Sequence, residues 1–246
     1  MVADLEQKRK ELIERWQEHK PKETPVIFTR YNGQEVAIKD ESHNLTGTYK
    51  DKHGYGMGLH YLTNHFPNNF FYYLGTTGNA GMSDCVYGVL LNQMLGEEKV
   101  TVVCFYPIHY EGKLLGPDSE GRFTTGGEVA IAMQEHQCAR VMRVDFSRRY
   151  WRDDFKSGDT PCLDTMVEYG LNVNRNNSMD ITEGFNPTYT QVMEEFGAQI
   201  IARYGEFPKA TLAVIPFGAG MLHDDCRAVV SANRWQCWDF MGVGTG

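Results

Sequence analysis

The sequence predicts an α/β protein, and three observations predict it. An apolar strand, a glycine-rich turn, a helix and a second apolar strand follow one another over residues 68–107. The alternation returns over residues 124–146. It returns again over 186–220, where a long helical stretch precedes ATLAVIPFGAG. Strands separated by helices cannot pair through tight hairpins, so they line up in parallel across helical connections.

Each element has a local reason. Residues 3–20 read as a helix, with Leu5, Leu12, Ile13 and Trp16 on one face and Pro21 and Pro25 beyond its end. VIFTRY and EVAIK are short strands around the turn Asn32–Gly33. NNFFYYLG (68–75) is apolar and aromatic, as a buried strand should be, and GTTGNAGMS (75–83) is a glycine turn. SDCVYGVLLNQML (83–95) suits a helix with Ser83 as N-cap and Gly96 as its stop. KVTVVCFYP (99–107) is the returning strand. TTGGEVAIAMQEHQ (124–137) reads as turn and helix, and CARVMRVDF (138–146) as strand. NPTYTQVMEEFGAQIIARYG (186–205) is a helix capped by Asn186 or Thr188 and stopped by Gly205. Residues 210–220 form a strand that enters a second glycine turn, while 153–162 and 173–185 read as loops. There is no internal repeat.

Composition bounds the function. The chain has 246 residues, 41% hydrophobic and 23% charged, enough for one large domain or two small ones. A net charge of -8 repels a phosphate backbone, and no basic patch offsets it, so nucleic-acid binding is not expected. The longest apolar runs, such as VTVVCFYPI, are too short to span a bilayer. The charged N-terminus lacks the apolar core of a signal peptide. The six cysteines form no C-x-x-C pair, and Cys104 and Cys138 sit in or beside apolar stretches as buried thiols. A cytoplasmic protein is expected.

Several catalytic readings fail on geometry. Cys85 and His109 would have to meet across a helix that rises about 18 Å, with the returning strand overshooting. His60 and His65 lack a third metal ligand, and Cys138 and Arg143 miss a phosphatase-loop spacing by one position. QCWDF (236–240) has no following histidine to pair with a thiol nucleophile. GTTGNAG matches the spacing G-x-x-G-x-x-G of a dinucleotide turn, but no acidic residue ends the next strand, so a nucleotide-binding protein is an outside alternative.

Both glycine turns follow apolar strands, where backbone N–H groups and helix N-termini can approach an anion. Ahead of them lies KDESHNLTGTYKDK (39–52), with Lys39, Lys50 and Lys52. The lysine stretch, GTTGNAG and PFGAG in that order resemble the fold-type II pyridoxal-phosphate (PLP) enzymes, particularly the threonine synthase and serine/threonine dehydratase group. That family carries a stretch close to K-D-E-x-x-N-P-T-G-S-F-K-D-R. Leu45, Thr48, Tyr49 and Lys52 stand where it has proline, serine, phenylalanine and arginine. The dipeptide Thr24–Pro25 also matches the segment before the family's first strand, and the resemblance spans roughly residues 23–222.

The resemblance implies a tryptophan synthase β-like fold, with parallel sheets flanked by helices and the large domain shortened. It implies a larger, discontinuous cofactor domain over 1–66 and 200–246 and a smaller α/β domain over 67–199. Lys50 matches the Schiff-base lysine, and Lys39 and Lys52 are then structural or solvated, Lys52 on the surface. Gly218, Ala219 and Gly220 match the phosphate loop, with Met221 where the family has glycine or asparagine. Asn79 matches the contact to the cofactor ring oxygen. Thr76, Thr77, Gly78 and Ala80 match the loop that takes the substrate carboxylate. No partner for the pyridine nitrogen can be assigned among Cys226, Ser231 and Thr245. The implied activity is elimination or replacement at the β- or γ-carbon of a small amino acid, in a homodimer. The alternative is a shortened or inactive relative that binds a ligand or partner without turnover.

Overall fold

The computed structural model describes residues 2–76, 78–107, 139–144, 177–182, 189–206, 211–217, 221–235 and 238–244. The helix predicted over 124–137, the loop 153–162 and Cys138 lie outside them. The chain divides into two units. The first holds Met1–Lys20 and His53–Thr182, the second Pro21–Lys52 and Glu183–Gly246.

The apolar runs of the first unit form a parallel sheet. The central strands are β3 (Phe70–Gly75) and β4 (Val100–Pro107). They pair in parallel with Phe70 opposite Val100, joined by α3 (Asn79–Leu95) as the expected βαβ unit. β5 (Ala139–Val144) lies beyond β4, and β6 (Ser178–Asp180) lies beyond β3, giving the order β5-β4-β3-β6. β6 corrects the reading of 173–185 as loop. Its three polar-flanked residues carry no local strand signal, and only pairing with Phe71–Tyr73 makes them one.

The helices of this unit pack against one another with little room to spare. α1 (Val2–Trp16) is shorter than expected and passes into a 3-10 turn at Gln17–His19. Leu12 and Trp16 are buried, but Leu5 is exposed. α2 (Asp51–Asn64) lies so close to Trp16 that a Cβ at Gly58 would fall 2.1 Å from its ring. A Cβ at Gly54 would fall 2.8 Å from Ser83 Oγ. That contact explains a second correction. Ser83 is not the cap of α3; it is buried inside it, turned toward α2, and the helix begins at Asn79 with Gly78 at the N-cap. Gly96 does stop α3, in the left-handed conformation at φ 74°. His53 ties the unit together, with Nδ1 2.6 Å from Asp84 Oδ1 and Nε2 donating to the Ile181 carbonyl at 2.9 Å.

The second unit begins with the predicted hairpin. β1 (Val26–Tyr31) and β2 (Gln34–Lys39) pair in antiparallel register around Asn32 and Gly33, both at positive φ. α4 (Thr190–Tyr204) is entered from Tyr189 and stopped by Gly205; Asn186 and Thr188 lie outside the described residues. Beyond the second glycine turn, where no element is predicted, α5 (Met221–Ala232) connects β7 (Thr211–Phe217) to the parallel strand β8 (Trp238–Gly244). The core joins Tyr189, Val192 and Met193 to Ile215, Leu222, Cys226, Val229 and Val230. Leu222, Cys226, Val229 and Val230 fall at helical spacing on one face of α5, and that periodicity drives its packing.

Candidate functional site

The lysine segment of the second unit is shaped by buried and half-buried polar groups that bond to one another. Lys39 Nζ donates to the Thr24 carbonyl at 2.6 Å, to Glu195 Oε2 at 3.0 Å and to Gln199 Oε1 at 3.2 Å. The Glu41 carboxylate accepts from Thr24 Oγ1 at 2.7 Å, Asn44 Nδ2 at 2.7 Å and Lys52 Nζ at 3.4 Å. The Thr46 backbone N–H donates to Asp51 Oδ2 at 2.8 Å, and its hydroxyl donates to the other oxygen of that carboxylate. Asp51 also opens α2, where a negative charge is favoured by the helix dipole. Buried polar atoms need partners, so these positions demand these residue types.

Lys52 departs from expectation. It is not on the surface but 4% exposed. Thr24 and Asn44 draw the Glu41 carboxylate inward, and the Lys52 ammonium neutralises it there. Lys39 is structural.

Lys50 is held differently, among aromatic rings. Its Nζ donates to Tyr189 Oη at 3.0 Å. It lies 4.9 Å from the Tyr49 ring centre and 4.7 Å from that of Tyr189, within cation–π range. The two rings meet edge to face at 5.1 Å. Burial, with a smaller effect from Cys226, pushes the Tyr49 phenol up to about 12, so it stays neutral at ordinary pH. Tyr189 is fully buried, and its backbone N–H donates to Asp225 Oδ2 at 2.6 Å. No sequence signal marks Tyr189, because it lies 139 positions from the lysine it contacts.

The phosphate-loop candidates Gly218, Ala219 and Gly220 lie outside the described residues. The elements on either side are clear. β7 ends at Phe217 and α5 begins at Met221, so a helix N-terminus follows a strand end after residues 218–220. Met221 is half-buried against the core.

In the first unit the glycine turn also leads from a strand end to a helix N-terminus. Thr76 is buried. Its N–H donates to the Phe105 carbonyl at 2.7 Å, and its Oγ1 accepts from Gly78 at 3.0 Å and Gly81 at 3.1 Å. The hydroxyl oxygen therefore shapes the turn itself. Gly78 takes φ 138°, a conformation that side chains rarely adopt. Asn79 is the first helical residue and is exposed; Ala80 is half-buried; Thr77 lies outside the described residues. Gly78, Asn79 and Ala80 thus occupy an N-terminus of the kind that favours anions.

Other candidates find different uses. His60 Nδ1 lies 2.8 Å from the Tyr72 hydroxyl, and the His60 and His65 rings are 4.9 Å apart. Burial lowers the pKa of both. Cys85 and Cys104 are buried with their sulfurs 3.8 Å apart. Among the described residues no group of three or more His, Cys, Asp or Glu is placed to hold a metal ion. Nor is any described helix long and apolar enough to cross a membrane.

Solved structures share this fold. A cystathionine β-synthase from Helicobacter pylori, O-acetylserine dependent, matches with a TM-score of 0.61 at 14% identity, over 92% of this chain and 64% of its own. Diaminopropionate ammonia lyase from Escherichia coli gives 0.60 at 12% identity, over 97% of this chain and 64% of its own. A pyridoxal 5'-phosphate-dependent aspartate racemase gives 0.58 at 14% identity, over 96% and 61%. The fold is that of the fold-type II PLP enzymes. At such identities the fold-type II likeness is one of architecture, and the chain spans less than two thirds of the length of these neighbours. No family profile and no curated protein sequence matches the chain.

Proposed function

We propose that this chain is a PLP-dependent lyase or synthase acting on a small amino acid by β- or γ-elimination or replacement. Within that class the lysine motif favours a threonine synthase-like reaction. The observation that carries the reading is Lys50. Its amine lies against two aromatic rings, while Lys39 and Lys52 are bound to half-buried carboxylates.

The residues present fit the cofactor. A primary amine is the group that captures an aldehyde, and Lys50 supplies it. The start of α5 beside residues 218–220 supplies backbone donors for a phosphate, with Gly218, Ala219, Gly220 and Met221 as the residues that would hold it. Asn79 would contact the ring oxygen. Of the four loop positions, Thr77 and Ala80 would receive the substrate carboxylate, while Thr76 and Gly78, whose N–H groups are bound to the Phe105 carbonyl and to Thr76 Oγ1, would shape the turn that presents them. When bound, PLP withdraws electrons from the α-carbon of an amino acid. The chain then has to orient that amino acid, exclude water and move a proton to or from the α-carbon, and Lys50 Nζ is the group for the proton.

The test is spectroscopic. Adding PLP to the purified protein should give a visible absorbance band that Lys50→Ala does not give. A wild-type protein without the band, or a Lys50→Ala variant that keeps it, would overturn the assignment. Release of ammonia or a 2-oxo acid from a small amino acid separates an enzyme from a chain that binds PLP without turnover.

A further inference from the structure

The geometry points to Tyr189 as the residue that orients the Lys50 amine. This rests on the reading of Lys50 above and adds a residue to it. Tyr189 Oη lies 3.0 Å from Lys50 Nζ and is the hydroxyl to which that amine donates. A phenol hydroxyl can meet the amine in either protonation state. It accepts an N–H from the ammonium, and it donates its own proton to the lone pair of the neutral amine. A nucleophilic amine must pass between these two states, and one fixed hydroxyl serves both without a change of partner.

The phenol is placed for this by tertiary structure. Its ring is fully buried in the core of the second unit, between α4 and α5. Its backbone N–H is bound to Asp225 Oδ2 on α5 at 2.6 Å. Its ring and that of Tyr49 meet edge to face at 5.1 Å. The long, flexible lysine side chain would otherwise sample many rotamers, and the hydroxyl together with the two ring faces selects among them. Among the described residues, Tyr49, Asp225 and Cys226 are titratable groups near the pair. Burial holds Cys226 as a neutral thiol, raised to about 12, and Asp225 is engaged by the Tyr189 backbone.

The test reads Lys50 directly and needs neither turnover nor cofactor. The protein without PLP is labelled with acetic anhydride over a pH series, and acetylation at Lys50 is followed by peptide mass spectrometry. Tyr189→Phe keeps the ring and removes only the hydroxyl. The bond lost by the ammonium is charge-assisted and stronger than the one lost by the neutral amine, so the labelling midpoint of Lys50 should fall by about half a pH unit or more. Tyr49→Phe should leave the midpoint in place, since Tyr49 touches the amine through its ring face. Incorporating 3-fluorotyrosine at 189 conserves the packing while making the phenol a weaker acceptor and stronger donor, and should lower the midpoint in the same direction. This variant decides the matter if Tyr189→Phe fails to fold. An unchanged midpoint in the folded variants overturns the proposal. If wild-type protein gives the PLP band and Lys50 is unaffected by either change at 189, the role of Tyr189 fails while the proposed function stands. If the midpoint shifts but the PLP band never forms, the pairing stands and the proposed function fails.

Discussion

At the scale of single residues, three lysines of one short segment end in three environments. Lys39 pairs with the half-buried Glu195, Lys52 with the half-buried Glu41, and Lys50 faces aromatic rings. Charge alone does not separate them; their partners do. Glu41 is the residue on which most of the segment depends, since Thr24, Asn44 and Lys52 all donate to it. Glu41→Ala would strand the Lys52 ammonium, whose side chain is 3% exposed. A cost of about 3–5 kcal/mol is expected, read as a lower midpoint in urea unfolding. The motif was legible because its polar types are required by these bonds. Lys50 stands within it. Tyr189 was not legible, because a buried tyrosine at the start of a helix looks like any other core aromatic until its distant partner is placed.

At the scale of elements, helix ends followed local rules where a glycine stopped them and failed where tertiary contacts intervened. Gly96 and Gly205 end α3 and α4 in the left-handed conformation, as their positions predict. The start of α3 was misplaced because Thr76 caps the turn from outside the helix, freeing Ser83 to pack beneath Gly54. The α2–α1 contact is as tight. Gly58→Ala would drive a methyl group into the Trp16 ring, whose atoms would lie 2.1–2.9 Å away. Trp16 is fully buried and donates its indole N–H to the Tyr55 carbonyl at 3.0 Å, so it cannot step aside. A loss of about 1–3 kcal/mol is expected by thermal or urea unfolding, despite the better helix propensity of alanine. A variant as stable as wild type would show that α1 can shift away.

At the scale of the whole molecule, buried weak acids give the protein an alkaline limit. Burial raises Cys226 from 9.0 to about 12 and Tyr49 from 10.0 to about 12. Tyr61, Tyr72 and Tyr73 are raised by burial as well, and Cys85 chiefly by its hydrogen bond to Cys104. Above the ordinary pKa values the unfolded chain loses these protons while the folded chain keeps them. The folded state then binds more protons, so stability falls as pH rises, over the window from about 9 to about 12. Urea midpoints measured through that range should decline. Iodoacetamide should leave Cys85, Cys104 and Cys226 unmodified at pH 8 in folded protein and modify them after unfolding, because burial keeps the reagent from the sulfurs.

Among the described residues, the β1–β2 hairpin, the β3–α3–β4 unit, α4 and β7 were written in the sequence, because apolar periodicity and turn chemistry act between near neighbours. So was the lysine motif, whose residues bond mostly to one another. Tertiary structure alone decided that 178–180 is a strand, that Lys52 is buried and that Tyr189 meets Lys50. Those outcomes join positions far apart in the chain, and local propensity has no means of expressing which distant group will arrive to complete a ladder, an ion pair or a hydrogen bond.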